Sequence, residues 1–255
     1  MNWFVRFYKS SLGKKIIMAV SGVIFFGFVF LHMYGNLKMF MGTELVEGLG
    51  VYKYKMDIYA EHLRTFGEPI LTYGMLLWIL RFVLVLALVL HVTSAVQLWL
   101  MNNKARPQNY ANALKSQVTT FFARTMYYTG PLLFLYIVYH ILHFTTGDIH
   151  SSTHIEGQVY GNVYNAFQTW WIALIYIVAM IFLGFHLQHG LWSMLQTLGI
   201  NNPKRNLWRK RFATAFTLII VLGFIAVPIG IQAGIIPEPH YQPNSTVIAY
   251  HETGR

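Results

Sequence analysis

Five long apolar blocks alternate with shorter polar stretches, at about 16–38, 70–101, 125–145, 168–196 and 212–235. Within a block the apolar residues run on rather than alternating. Each block exceeds the ~20 residues a helix needs to cross the hydrocarbon of a bilayer. A transmembrane barrel would instead show segments of about ten residues with alternating polarity. The pattern predicts an all-α integral membrane bundle of five transmembrane helices. Between the blocks there is no long Ser/Pro-rich linker and no stretch that could build a soluble core, so residues 1–255 read as a single membrane domain. The first block follows Lys14 and Lys15 as a signal peptide would. It is too long for a signal-peptide core and lacks a small-residue cleavage site, so it is expected to be retained.

Composition agrees with that pattern. The chain has 255 residues, of which 55% are hydrophobic and only 11% charged, whereas a soluble domain carries about 25% charged residues. Cysteine is absent, which excludes disulfides, iron–sulfur ligation and covalent c-type haem attachment within this chain.

The net charge of +10 could suggest nucleic acid, but its distribution follows topology instead. Arg6, Lys9, Lys14 and Lys15 precede the first block. Lys104, Arg106, Lys115 and Arg124 lie between the second and third, and Lys204, Arg205, Arg209, Lys210 and Arg211 between the fourth and fifth. The acids Glu44, Glu47, Asp57, Glu61, Glu68, Asp148, Glu156, Glu238 and Glu252 all lie in the alternate segments. The positive-inside rule then places the N-terminus in the cytoplasm and the C-terminus outside. The basic inner face suits anionic lipid or a docked soluble partner; no nucleic-acid partner is expected.

Four of the five blocks carry a histidine. With the spans alternating in direction, His32 and His140 fall toward the outer side, His91 and His189 toward the inner side. The first and third spans also share a layout: Ser21-Gly22, nine residues, His32; and Thr129-Gly130, nine residues, His140. The chain is an internal repeat of two helix pairs, each with an outer and then an inner histidine.

An ionisable group inside a span is costly and points to function. A single one is as readily a core imidazole bonded to a helix carbonyl. Two pairs at two depths fit the axial positions of two haem irons, because a helix bundle can hold a cofactor between facing side chains and histidine is a standard haem ligand. Zinc is the competing metal, since His140/His143 and His186/His189 are both HxxH pairs. Zinc sites usually recruit Cys, Asp or Glu as well, and the spans contain none. His143 and His186 lie about 60° round the helix from their neighbours. They could exchange roles with His140 and His189, or bind a propionate or a quinone. Gly22, Gly130 and Gly190 leave room for a flat macrocycle, and glycine is also common at membrane helix contacts.

Arg81, ten residues before His91, is either an interfacial arginine snorkelling to the outer edge or the partner of an outer propionate. Trp170, Trp171, Tyr127 and Tyr128 read as an aromatic belt. Pro131 and Pro228 are expected to kink or start helices. The His150–His154 loop is expected outside and solvated. No Ser/His/Asp triad, phosphate loop or nucleotide fingerprint occurs. A His-relay transporter would show broken helices and intramembrane carboxylates, which are lacking.

The SG-x9-H of the first span, the His91 span with its following basic loop, the TG-x9-H of the third, and His189-Gly190 resemble the di-haem cytochrome b anchor of bacterial succinate:quinone oxidoreductases. That group includes succinate dehydrogenase and fumarate reductase. The segment Leu63–Gly74, LRTFGEPILTYG, looks like that family's lead-in to its second span. The resemblance covers residues from about 12 to 235.

It implies two haem b groups, with His91 and His189 holding the inner iron and His32 and His140 the outer one; Arg81, His143 and His186 would line the cofactors. It implies a flavoprotein subunit and an iron–sulfur subunit as partners, and menaquinone or another quinone as electron acceptor. It also implies a multi-pass place in the bacterial inner membrane; a higher oligomer of the complex is compatible with it. The chain would be the electron-transfer and quinone-site subunit of the enzyme, without a flavin of its own. A cytochrome b subunit of a hydrogenase or formate dehydrogenase would share the bis-His logic. Some relatives carry a glutamate two residues before the fourth-span ligand, where this chain has Leu187 before His189, so a carboxylate proton path through the bundle is not expected.

Overall fold

Long apolar segments satisfy their backbone polar groups internally, so in a membrane they are helices. The computed structural model describes residues 2–46, 50–105, 121–150, 154–200, 202, 204 and 206–241. Of the residues named above, Glu47, Arg106, Lys115, residues 151–153, Arg205 and Glu252 lie outside the described residues. The elements are α1 (Trp3–Lys9), α2 (Ser11–Asn36) with a 3₁₀ turn (Leu37–Met41), β1 (Thr43–Val46), β2 (Val51–Tyr54) and α3 (Lys55–Thr65). They continue with α4 (Met75–Ala105), α5 (Phe121–Phe144), α6 (Val159–Gln168), α7 (Trp170–Thr197) and α8 (Asn206–Gln232).

Four helical segments are long and apolar enough to cross a membrane: α2 with its 3₁₀ turn, α4, α7 and α8. The chain is a multi-pass membrane protein on that basis. Helix α5, the expected third span, has the length at 24 residues but is not one of the four. Its Tyr127, Tyr128, Tyr136, Tyr139, His140 and His143 put polar tips into an otherwise apolar sequence. Large apolar side chains such as Trp78, Phe82, Leu135 and Leu222 stay exposed, as lipid-facing residues do and the core of a soluble protein does not.

The chain divides into two compact units. The first comprises Met1–Leu31, Trp78–Pro131 and Phe182–Ile220. Here Ser10 separates α1 from α2: its hydroxyl donates to the Phe7 carbonyl at 2.7 Å and accepts from the Gly13 N–H at 2.9 Å. Gly13 is required by close approach, because a Cβ there would lie 2.0 Å from the Phe7 carbonyl oxygen. The buried Lys14 ammonium donates to the Tyr8 carbonyl at 2.6 Å and sits 4.2 Å over the Tyr8 ring. A buried ammonium needs such partners in low dielectric. Helices α2 and α8 meet where Phe26 stacks on Phe216 at 4.1 Å.

The second unit comprises His32–Leu77, Leu132–Ile181 and Val221–Arg255, and it contains elements that the hydropathy pattern does not predict. Strands β1 and β2 form an antiparallel hairpin with Thr43 opposite Tyr54, and Lys55 pairs with Glu44 at 3.5 Å. Tyr54 stacks on the fully buried Tyr160 of α6 at 3.9 Å. Asp57, in the first turn of α3, accepts from the Tyr160 N–H at 2.8 Å and the Tyr241 hydroxyl at 2.9 Å. The Tyr241 oxygen in turn accepts from the Gly161 N–H at 3.0 Å. One carboxylate thus ties α3, the start of α6 and the segment after α8 together. Burial raises the Asp57 carboxyl above its ordinary value, against the lowering effect of these hydrogen bonds; burial likewise raises the Tyr241 phenol.

Candidate functional site: two histidine pairs

In the first unit, α4 supplies His91 and α7 supplies His186 and His189. The rings of His91 and His186 face each other with centroids 6.2 Å apart and planes at 50°. His189 turns elsewhere, to the Trp192 ring at 6.3 Å. The α7 histidine that meets His91 ring to ring is therefore His186, where the sequence reading pairs His91 with His189. The cause is rotation: three residues change the azimuth on a helix by about 60°, and α7 is apolar on every side, so its sequence carries no facing signal.

Two buried hydroxyls flank this pair. Ser21 Oγ lies 3.1 Å from His91 Nδ1, and Thr129 Oγ1 lies 3.5 Å from His186 Nδ1. The glycines beside them open space: a Cβ on Gly22 would come no nearer than 3.9 Å to the His91 ring and the Met194 sulfur, and one on Gly130 or Gly190 would meet nothing within 4 Å.

In the second unit, His32 from the end of α2 and His140 from α5 face each other with centroids 5.7 Å apart and planes at 79°. Phe224 flanks His32 at 5.7 Å; Tyr136, Phe144 and Tyr176 surround His140 at 5.6–5.8 Å. Sequence reading passed over Tyr136 and Tyr176, since an aromatic at helical spacing reads as core. His140 Nδ1 is buried without a hydrogen-bond partner. His143 is committed elsewhere: it is buried, stacked on Phe144 at 4.2 Å and hydrogen-bonded through Nδ1 to the Tyr176 hydroxyl at 2.9 Å. Arg81 belongs to the first unit, with its guanidinium 4.8 Å over the exposed Trp78 ring.

The donor set can be tested against haem. Among the described residues, no three His, Asp or Glu converge as a bare metal ion would need. Two facing imidazoles per site suit an iron whose remaining four bonds lie in a macrocycle. A metal–imidazole bond of about 2 Å on each side, with the ring half-widths, spans about 6 Å between centroids. The separations of 6.2 Å and 5.7 Å are compatible with that span and are also those of ordinary ring contacts. Neutral imidazole carries no charge into the low-dielectric interior, and the residues fit the group.

The fold and these pairs define a helical multi-pass membrane protein with paired, half-buried histidines. Residues 102–226 match the family described as succinate dehydrogenase/fumarate reductase transmembrane subunit, part of a redox enzyme complex. That stretch contains His140, His143, His186 and His189; His32 and His91 precede it. No curated protein and no solved structure matches the chain.

Proposed function

We propose that the chain is the haem b-containing membrane anchor of a succinate:quinone oxidoreductase of the bacterial inner membrane. On this reading it crosses the bilayer five times, with the N-terminus in the cytoplasm, and binds a flavoprotein subunit and an iron–sulfur subunit. The observation that carries the reading is the pair of ring-to-ring histidine contacts, His32 with His140 and His91 with His186, in a chain whose residues 102–226 match that transmembrane subunit family.

Haem b bound at the two pairs supplies one-electron transfer between the iron–sulfur subunit and a quinone, menaquinone for a di-haem anchor. The chain's own residues do the rest. His32, His140, His91 and His186 would hold the two groups, each pair drawn from two helices rather than from one flexible loop. Phe224, Tyr136, Phe144 and Tyr176 crowd the outer pair and exclude water from it. His189 and His143 support the sites from outside the axial positions. The basic face, free of carboxylates in α1, α2, α4 and the α7–α8 connection, meets the soluble subunits.

The test is purification through a tag on this chain. The reading expects a co-purifying flavoprotein and iron–sulfur protein and about two low-spin b haems per chain, reducible by succinate. A colourless preparation would overturn it. A haem-bearing preparation with hydrogenase or formate dehydrogenase subunits would replace the partner assignment and leave the ligand assignment standing.

A further inference from the structure

Ser21 and Thr129 are buried, at 3% and 1% exposure, and neither is a metal ligand. A buried hydroxyl is costly unless it is hydrogen-bonded, so its partners show what it is for. We propose that these hydroxyls are positioning residues for the inner histidine pair: each holds one imidazole through Nδ1 and leaves Nε2 to the iron. The proposal rests on the reading of His91 and His186 as axial ligands.

The direction of the Ser21 bond follows from its neighbours. Ser21 Oγ lies 2.9 Å from the Ile17 carbonyl and 3.1 Å from the Met18 carbonyl. In the proposal the single hydroxyl proton goes to the nearer of these carbonyls, which only accept. Toward His91 Nδ1, at 3.1 Å, the Ser21 oxygen must then accept. The Nδ1 of His91 carries the proton, and Nε2 carries the free lone pair.

Thr129 stands in the equivalent relation to His186, at a longer 3.5 Å. In each half of the chain the hydroxyl-glycine helix holds the histidine of the next long helix, α2 that of α4 and α5 that of α7. This gives the Ser-Gly and Thr-Gly repeat a purpose beyond packing, with the glycine opening space and the hydroxyl fixing the tautomer. It also separates the two α7 histidines, since among the described residues no hydroxyl is hydrogen-bonded to His189. The outer pair differs: His140 Nδ1 has no hydrogen-bond partner. A ligating histidine that donates its second N–H is a more basic ligand and favours the ferric iron.

The experiment uses the intact complex with Ser21→Ala, Ser21→Cys, Ser21→Thr and Thr129→Ala. It reads haem content, the midpoint potential of each haem, and the low-spin electron paramagnetic resonance signals. Ser21→Ala should keep about two haems per chain while one haem loses about tenfold of its preference for the ferric state. That corresponds to a potential about 59 mV higher for a one-electron couple. The other haem should not move. Ser21→Thr should restore the wild-type potential, and Thr129→Ala should shift the same haem by less. If Ser21→Ala loses haem or fails to assemble, the isosteric Ser21→Cys decides: a shifted inner potential supports the proposal, and a wild-type potential overturns it. Two haems with unchanged potentials and signals in Ser21→Ala would also overturn it and leave the bis-His reading intact. Wild-type protein without haem would remove that reading itself.

Discussion

His186 and His189 lie one helical turn apart, and only one can share an iron with His91. Replacing each by alanine separates the possibilities. The His91 and His186 centroids are 6.2 Å apart, the span of two metal–nitrogen bonds of about 2 Å plus two ring half-widths. His186→Ala removes one of the two axial bonds, and the short methyl cannot replace it. The inner haem should be lost, taking the content from about two per chain to about one, with the outer haem keeping its potential. His189→Ala removes an imidazole that packs on Trp192 at 6.3 Å. An aromatic contact of that kind is worth about 0.5–1.5 kcal/mol. The cost should appear as a modest drop in thermal stability with haem content unchanged. A pyridine haemochrome assay normalised to protein, with a redox titration, reads both outcomes. The reasoning is refuted if His189→Ala loses a haem while His186→Ala keeps both.

Four further outcomes follow from particular contacts. Asp57→Ala leaves the Tyr160 N–H and the Tyr241 hydroxyl without their acceptor, at a cost of about 1–3 kcal/mol for each group left buried; hydrogen exchange should rise in α6 and in residues 233–241, and unchanged protection would contradict the network. Because burial raises the folded-state value of Asp57 above the unfolded one, the folded state holds its proton at higher pH. Its contribution is therefore present below the unfolded value and lost as pH rises through the folded one; the same segments should exchange faster across that rise, and Asp57→Asn should flatten the dependence. At Gly22 a Cβ meets only ordinary contacts at 3.9 Å, so Gly22→Ala should retain both haems, whereas Gly22→Leu reaches into the His91 ring and should lose the inner one; equal haem content in the two variants would count against the assigned space. Gly13→Ala places a Cβ on the Phe7 carbonyl, so α1 should detach from α2 and become sensitive to trypsin at Lys9, while resistance equal to wild type would contradict the close approach.

Much of this arrangement is legible in the chain because the membrane simplifies the problem. Continuous apolar runs have few alternatives to helices, and alternating direction sorts histidines by depth without any knowledge of packing. The ring contact between His32 and His140 was accessible from that argument alone. Which α7 histidine meets His91 ring to ring was not, because it depends on the rotation of a helix that is apolar all round. The hairpin, α3 and α6 were missed for another reason. They are short, mixed in polarity, and held by tertiary contacts of Asp57, Tyr54 and Tyr160 rather than by a periodic pattern. Helix α5 shows the opposite effect, since the tyrosines and histidines that build its site also weaken its signal as a span.

The central claim is that two irons are each held by two imidazoles. Near-infrared magnetic circular dichroism of the oxidised complex reads axial ligation directly. The account predicts only bis-imidazole low-spin ferric haem, at about two per chain, with the signal halved in His186→Ala. High-spin haem, a histidine–methionine signature or a single haem per chain in the wild type would contradict it.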